Sequence, residues 1–154
     1  MEPLPFLRAL IRRPDLPRLP AVSLGRFPTP LERVSEISGA DLWVKRDDLS
    51  GAPYGGNKIR KLELLMAAAL SVITFGAAGS NHALATALIS RQIGLRCVNI
   101  LGPQVNSIAV RRNLLASFQA GAELVYSAWR DTPVTTAWHF ARLWREDGVP
   151  PSVI

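Results

Sequence analysis

The chain has 154 residues, 48% hydrophobic and 19% charged, which excludes a disordered polypeptide and fits one typical domain with a core of its own. Its net charge of +6 rests on arginine, since Lys45, Lys58 and Lys61 are the only lysines. The arginines are scattered and lack aromatic interleaving, so the charge describes a solvated surface and no nucleic-acid partner is expected.

Residues 1–30 hold seven of the twelve prolines. Proline fixes one dihedral and removes a backbone donor, so an extended arm is expected, with at most a short helix near Phe6–Arg12. Pro3 and Pro5 interrupt the apolar start and no small-residue cleavage site follows, which argues against a signal peptide. Leu42–Arg46 reads as a strand closed by a turn at Asp47-Asp48. Lys58 to about Leu70 reads as a helix with Ile59, Leu62, Leu65, Met66 and Ala69 on one face.

Val72–Phe75 reads as a buried strand. The apolar stretch Leu64–Phe75 is shorter than the roughly 20 residues that cross a bilayer, so no membrane span is expected. His82–Ile93 is a predicted helix, capped by Ser80 or Asn81 and ended by Gly94. Arg96–Leu101 is a strand, Ser107–Gln119 a helix and Glu123–Tyr126 a strand. Thr132-Pro133 starts a further helix, cap then first-turn proline, which stops at Gly148. Pro151–Ile154 opens another strand. Only Ser71 separates the first helix from the strand at Val72, against the usual two to six or so residues. Either the helix gives up its last turn or residues are missing. Together with an end at Ile154, this suggests a fragment or shortened version of something larger.

Strands alternating with long helices imply an α/β fold, a parallel sheet with helices on both faces. Ligands of such sheets bind at the carboxyl ends of strands, where Gly76–His82 falls. Cys97 lies in an apolar run and has no partner for a disulfide within the chain, which suits the cytoplasm. His82 and His139 are far apart and no cluster suggests a metal.

Two segments carry the chemistry. Lys58 sits in the first turn of its helix, beside Arg60 and Lys61, where each cation opposes the helix dipole at a cost of about 0.3–1 kcal/mol. A solvated lysine behind an Asn57 cap accounts for the pattern. So does a functional amine: the positive helix end disfavours the ammonium form, and an amine that is partly uncharged attacks a carbonyl to form a Schiff base. Gly55-Gly56 lets the backbone approach a flat ligand. The second segment, Gly76–His82, presents backbone N–H groups at a helix start, suited to carboxylate or phosphate, although Ser80 and Asn81 also serve simply as caps. A dinucleotide-binding turn fits less well. Gly76 and Gly79 do not complete G-x-G-x-x-G, and no Asp or Glu occurs between Glu63 and Glu123.

At Lys45-Arg46-Asp47-Asp48-Leu49, Tyr54–Glu63 and Thr74-Phe75-Gly76 leading to Ser80-Asn81-His82, the chain resembles the D-cysteine desulfhydrase and 1-aminocyclopropane-1-carboxylate deaminase family. Phe27–Leu31, Asn113-Leu114-Leu115 and Gly121-Ala122-Glu123 match it as well. These are pyridoxal-phosphate enzymes with the fold of the tryptophan synthase β subunit. The resemblance implies that Lys58 holds pyridoxal 5'-phosphate covalently and then acts as general base. It implies that Asn81 hydrogen-bonds the ring hydroxyl, and that Ser80, Asn81 and His82 meet the substrate, with Ser80 assisting proton transfer.

The implied reaction is β-elimination from a small amino acid such as D-cysteine, giving pyruvate, ammonia and sulfide. 1-Aminocyclopropane-1-carboxylate deaminase is the alternative; a Ser-Asn-His pattern leans towards the desulfhydrase, the deaminases having Ser-Asn-Gln. The resemblance also implies a homodimer, with residues 1–60 as an incomplete piece of a larger cofactor domain and 61–154 as a small α/β domain. The family's Gly-rich phosphate loop has no counterpart before Ile154. Weak or no catalysis is therefore expected from the chain alone, and a non-catalytic α/β piece that pairs with another chain is the reading of another class.

Overall fold

The computed structural model describes residues 20–34, 41–52 and 54–154, and the helix expected near Phe6–Arg12 lies outside them. The chain divides into two compact units, Met1–Ala67 and Ala68–Ile154.

In the first unit, β1 (Leu31–Val34) pairs antiparallel with β2 (Leu42–Lys45), in the register Leu31 to Lys45 and Val34 to Leu42. β1 was not foreseen. Leu31, Leu42, Trp43 and Val44 are all exposed, so this pair lacks the one-sided burial that gives a strand its alternating pattern. The turn at Asp47-Asp48 is a short 3-10 helix, Asp47–Ser50. Helix α1 (Asn57–Leu65) follows, with Ile59 and Leu62 fully buried.

α1 ends at Leu65, earlier than the expected Leu70, and Met66 closes it by donating its N–H to Leu62 O. Residues 66–70 therefore form a connection of ordinary length. The physical cause lies in the next strand. β3 (Ser71–Ala77) begins one residue before the expected start, and Arg96 N–H donates to Leu70 O, so sheet pairing draws the chain out of the helix.

In the second unit, α2 (Asn81–Ile93), β4 (Arg96–Gly102), α3 (Ile108–Gln119), β5 (Glu123–Tyr126), α4 (Thr132–Asp147) and β6 (Ser152–Val153) follow. The sheet has the order β5-β4-β3-β6 and every pairing is parallel. Alternation along β4 divides the core between the two faces. Val98 and Ile100 cluster with Ile73 of β3 and Leu143 of α4. Asn99 points the other way, its Nδ2 donating to Ala83 O of α2 at 3.3 Å. α2 and α3 thus cover one face and α4 the other, the α/β sheet with helices on both sides that the periodicity predicts.

The helix boundaries follow local chemistry. Ser80 and Ser107 accept from Ala83 N–H and Val110 N–H as N-caps, and Gly94 and Gly148 end their helices in the left-handed region, at φ 74° and 72°. Thr132 is not the cap expected for α4. It is the first helical residue, reached through a short 3-10 turn at Trp129–Asp131, and no side chain caps the start. Cys97 is buried, which pushes its thiol up to about 12 and leaves it an inert hydrophobe. No helix among the described residues is long and apolar enough to cross a membrane.

Candidate functional site

The lysine-bearing turn of the first unit is built on Asp47. Its backbone carbonyl accepts from Gly56 N–H at 2.7 Å and from the Ser50 hydroxyl at 2.6 Å, and Ser50 Oγ also accepts from Gly56 N–H at 3.0 Å. Its carboxylate receives a two-pronged bond from Arg60, Nε to Oδ2 at 3.0 Å and a terminal nitrogen to Oδ1 at 2.8 Å, plus the Thr29 hydroxyl at 2.8 Å. The Arg60 guanidinium lies 4.2 Å from the Phe27 ring centroid. Arg60 first, then Thr29, holds the Asp47 carboxyl down at about 2. The cation expected to crowd Lys58 is therefore committed to a carboxylate.

Gly55 and Gly56 do separate work here. A Cβ on Gly55 would stand 2.3 Å from Asp48 O, so no side chain fits. Gly56 has φ 114°, a conformation that L residues rarely adopt, and a Cβ there would meet nothing within 4 Å. Open space beside the helix start is what a flat ring needs. Lys58 is half-buried, and its Nζ donates to Asn57 Oδ1 at 3.1 Å. Of the other two lysines, Lys45 donates to Thr29 O, and Lys61 is exposed on α1. Further along α1 the buried Glu63 accepts from Leu24 N–H at 3.0 Å and Gly25 N–H at 3.2 Å, tying residues 22–25 to the helix. Burial pushes its carboxyl up.

The second segment of interest, Gly76–His82, lies at the carboxyl end of β3. Strand order reverses there: the chain after β3 goes to β4 on one side, while β6 sits on the other. Such a switch point is where open α/β sheets receive ligands. Gly76 allows the bend, since a Cβ on it would stand 2.4 Å from Ser80 Cβ. Ser80, Asn81 and His82 occupy the start of α2, whose first turn has no acidic residue. Ser80 is half-buried and acts as cap, Asn81 is exposed and His82 half-buried.

The bend is clamped from outside. Gly79 N–H donates to Gln104 Oε1 at 2.6 Å. Asn113, on the buried face of α3, donates from Nδ2 to Gly79 O at 2.8 Å and to Asn81 Oδ1 at 3.0 Å. Sequence reasoning assigned no role to Asn113 or Gln104. The signal available for Asn113 was its spacing: it falls in line with Val110 and Ser117, so an amide occupies the helix's inner stripe.

An apolar groove of about 550 Å³ opens on the opposite side of the sheet, between Phe75 and Trp129, Pro133, Ala137 and Phe140. None of these side chains titrates, so it offers shape without acid or base. No cluster of three or more His, Cys, Asp or Glu that could hold a metal occurs among the described residues.

Parts of this chain are similar to known proteins. A D-cysteine desulfhydrase of Salmonella paratyphi A is 42% identical over 102 residues, 61% of this chain and 31% of that protein. A Pyrococcus abyssi protein provisionally named 1-aminocyclopropane-1-carboxylate deaminase is 50% identical over 94 residues, 56% of this chain and 28% of that protein. A crystal structure described as that of the ACC deaminase homologue superposes with a TM-score of 0.73 at 33% identity, over 98% of this chain and 47% of that one. That likeness carries the expected fold class, that of the tryptophan synthase β subunit. The chain spans less than a third of the two relatives' length and about half of the solved one. The model of the pyridoxal-phosphate dependent enzymes matches residues 22–149, and the chain belongs to that family.

Proposed function

We propose that this chain supplies the amine and the carboxylate-facing bend of a pyridoxal-phosphate lyase or deaminase acting on a small amino acid, with residues 1–60 belonging to a cofactor domain and 61–154 forming a small α/β domain. The observation that carries this reading is Lys58. It is a partly exposed residue at a helix start, its amine on Asn57 Oδ1 at 3.1 Å, two residues after a glycine at φ 114° with open space on its Cβ side. Within the first unit the residues suit the cofactor, with an amine for its aldehyde and open space beside Gly56, and the family resemblance assigns it the Asn81 amide.

Pyridoxal phosphate, when bound, supplies an electron sink for charge developing at a substrate's α-carbon. This chain's residues supply the rest. Lys58 Nζ attaches the cofactor and afterwards takes and returns a proton at the substrate α-carbon. The Asn81 amide orients the ring. The N–H groups at the start of α2 and the His82 side chain receive the substrate carboxylate. Ser80 keeps its Oγ lone pair on Ala83 N–H and retains a hydroxyl proton to offer.

The favoured reaction is D-cysteine plus water to pyruvate, ammonia and sulfide, supported by His82 and the Salmonella relative. The Pyrococcus relative favours the alternative, 1-aminocyclopropane-1-carboxylate plus water to 2-oxobutyrate and ammonia. Visible absorption of pyridoxal phosphate added to the chain tests the attachment. Lys58→Ala should abolish the band of the condensed aldehyde, while Lys45→Ala and Lys61→Ala keep it. A band that survives Lys58→Ala overturns the assignment. Sulfide release from D-cysteine, set against 2-oxobutyrate release from the cyclopropane, separates the two substrates.

A further inference from the structure

We infer that Asn113 is a positioning residue that fixes which end of the Asn81 amide a ligand meets, so that Asn81 acts as a hydrogen-bond donor to an electron-rich oxygen. The argument is one of bond polarity. Gly79 O can only accept, so the Asn113 atom 2.8 Å from it must be the NH2 group. That same nitrogen reaches Asn81 at 3.0 Å, and an NH2 group can only donate, so the Asn81 atom it meets must be Oδ1. The orientation of one amide thus dictates the other, and Nδ2 is the donor end of the Asn81 side chain, directed away from Asn113 by the bond at Oδ1.

The relay is rigid at its origin. Gly79 is held on both sides, by Asn113 at its carbonyl and by Gln104 at its N–H. Asn113 is 7% exposed, so little water competes for its protons. A Cβ on Gly79 would lie 2.8 Å from Val110 Cγ2, which keeps the loop against α3. The chemistry selected is an acceptor oxygen bearing negative charge, such as the ring oxygen of pyridoxal phosphate, and a hydroxyl that must donate is disfavoured. This rests on the cofactor reading proposed above.

The test compares binding of pyridoxal phosphate and 3-deoxypyridoxal phosphate, which lacks that oxygen, to the full chain. Wild type should prefer the former by about tenfold, the value of one charge-assisted hydrogen bond. Asn113→Asp has nearly the same shape but cannot donate. It should erase the preference or invert it, more completely than Asn113→Ala. A purely structural role for Asn113 predicts the reverse order, with the isosteric Asp variant keeping the preference, and that result overturns the inference.

Should wild type bind both aldehydes equally, the cofactor reading of Asn81 fails by itself. The relay is then decided in the ligand-free chain by hydrogen exchange of the Asn113 side-chain amide. Slow exchange of both protons, with one of them released by Asn81→Ala, supports the relay. Rapid exchange of both in wild type overturns it, and that measurement needs no Asn113 variant to fold.

Discussion

The turn at Gly55–Lys58 and the bend at Gly76–His82 share their ingredients: a glycine pair or pair of glycines, an Asn, and the first residues of a helix. They are held by different forces. The first hangs on a carboxylate, Asp47, gripped by Arg60 at 2.8 and 3.0 Å. The second hangs on neutral amides, Gln104 and Asn113. Charge gives the lysine turn strength that depends on pH and salt, whereas amides give the bend a fixed polarity that neither titrates nor screens. In the lysine turn, Asp47 occupies the guanidinium of Arg60, one of the two cations that share the helix start with Lys58. The bend has no acidic residue in the first turn of its helix, which suits the carboxylate that the proposed function assigns to it.

The largest expected effect is on Glu63, which supports the lysine helix. Glu63→Ala leaves the buried N–H of Leu24 and the partly buried N–H of Gly25 without their acceptor and should cost about 2–4 kcal/mol by urea denaturation. Glu63→Gln keeps an acceptor and should cost less than about 1 kcal/mol at neutral pH. The sign follows from burial: it raises the carboxyl in the folded state, so ionisation opposes folding above the raised value, and that penalty vanishes below the unfolded one.

Next come the clamps themselves. Gly79→Ala forces a methyl to 2.8 Å from Val110 Cγ2 and 3.0 Å from Gln104 Oε1, and should cost about 1–3 kcal/mol. Arg60→Lys cannot reproduce the two-pronged bond or the stacking on Phe27 and should cost about 1–2 kcal/mol, less in high salt. Thermal denaturation at two salt concentrations distinguishes these variants, since the Gly79 effect should not depend on salt.

The smallest effect sharpens the contrast most. The Asp47 carboxyl is lowered to about 2 by Arg60, so its contribution is complete above the ordinary value of 3.8 and is lost as pH falls towards 2. The loss should be on the order of 1–2 kcal/mol after allowance for partial exposure. In an acid titration followed by amide NMR, Gly56 should shift in that window while Gly79 stays still.

The alternation of strand and helix was legible because the second unit buries both faces of its sheet, leaving continuously buried runs such as Ser71–Thr74, with Val72 and Ile73 at their centre, beside well-capped helices. β1 was not legible, because its side chains stay half-exposed or exposed and show no alternation. Of the candidate site, the Ser80 cap could be read from local spacing, whereas spacing left Lys58 open between a solvated lysine and a functional amine and the family resemblance singled it out. The clamps could not. Asn113 reaches Gly79 across 34 residues, Gln104 reaches it across 25 and Arg60 reaches Asp47 across 13, and no local pattern encodes side-chain bonds of that span. The misplaced end of α1 has the same origin, since pairing of Leu70 and Ser71 with β4 outweighs the apolar stripe that continues past Leu65.

The central claim is that one amine carries the cofactor. Incubating the full chain with pyridoxal phosphate, reducing with borohydride and mapping the modified peptide by mass spectrometry addresses it directly. The account predicts a single adduct on Lys58; an adduct on Lys45 or Lys61, or none on Lys58, contradicts it.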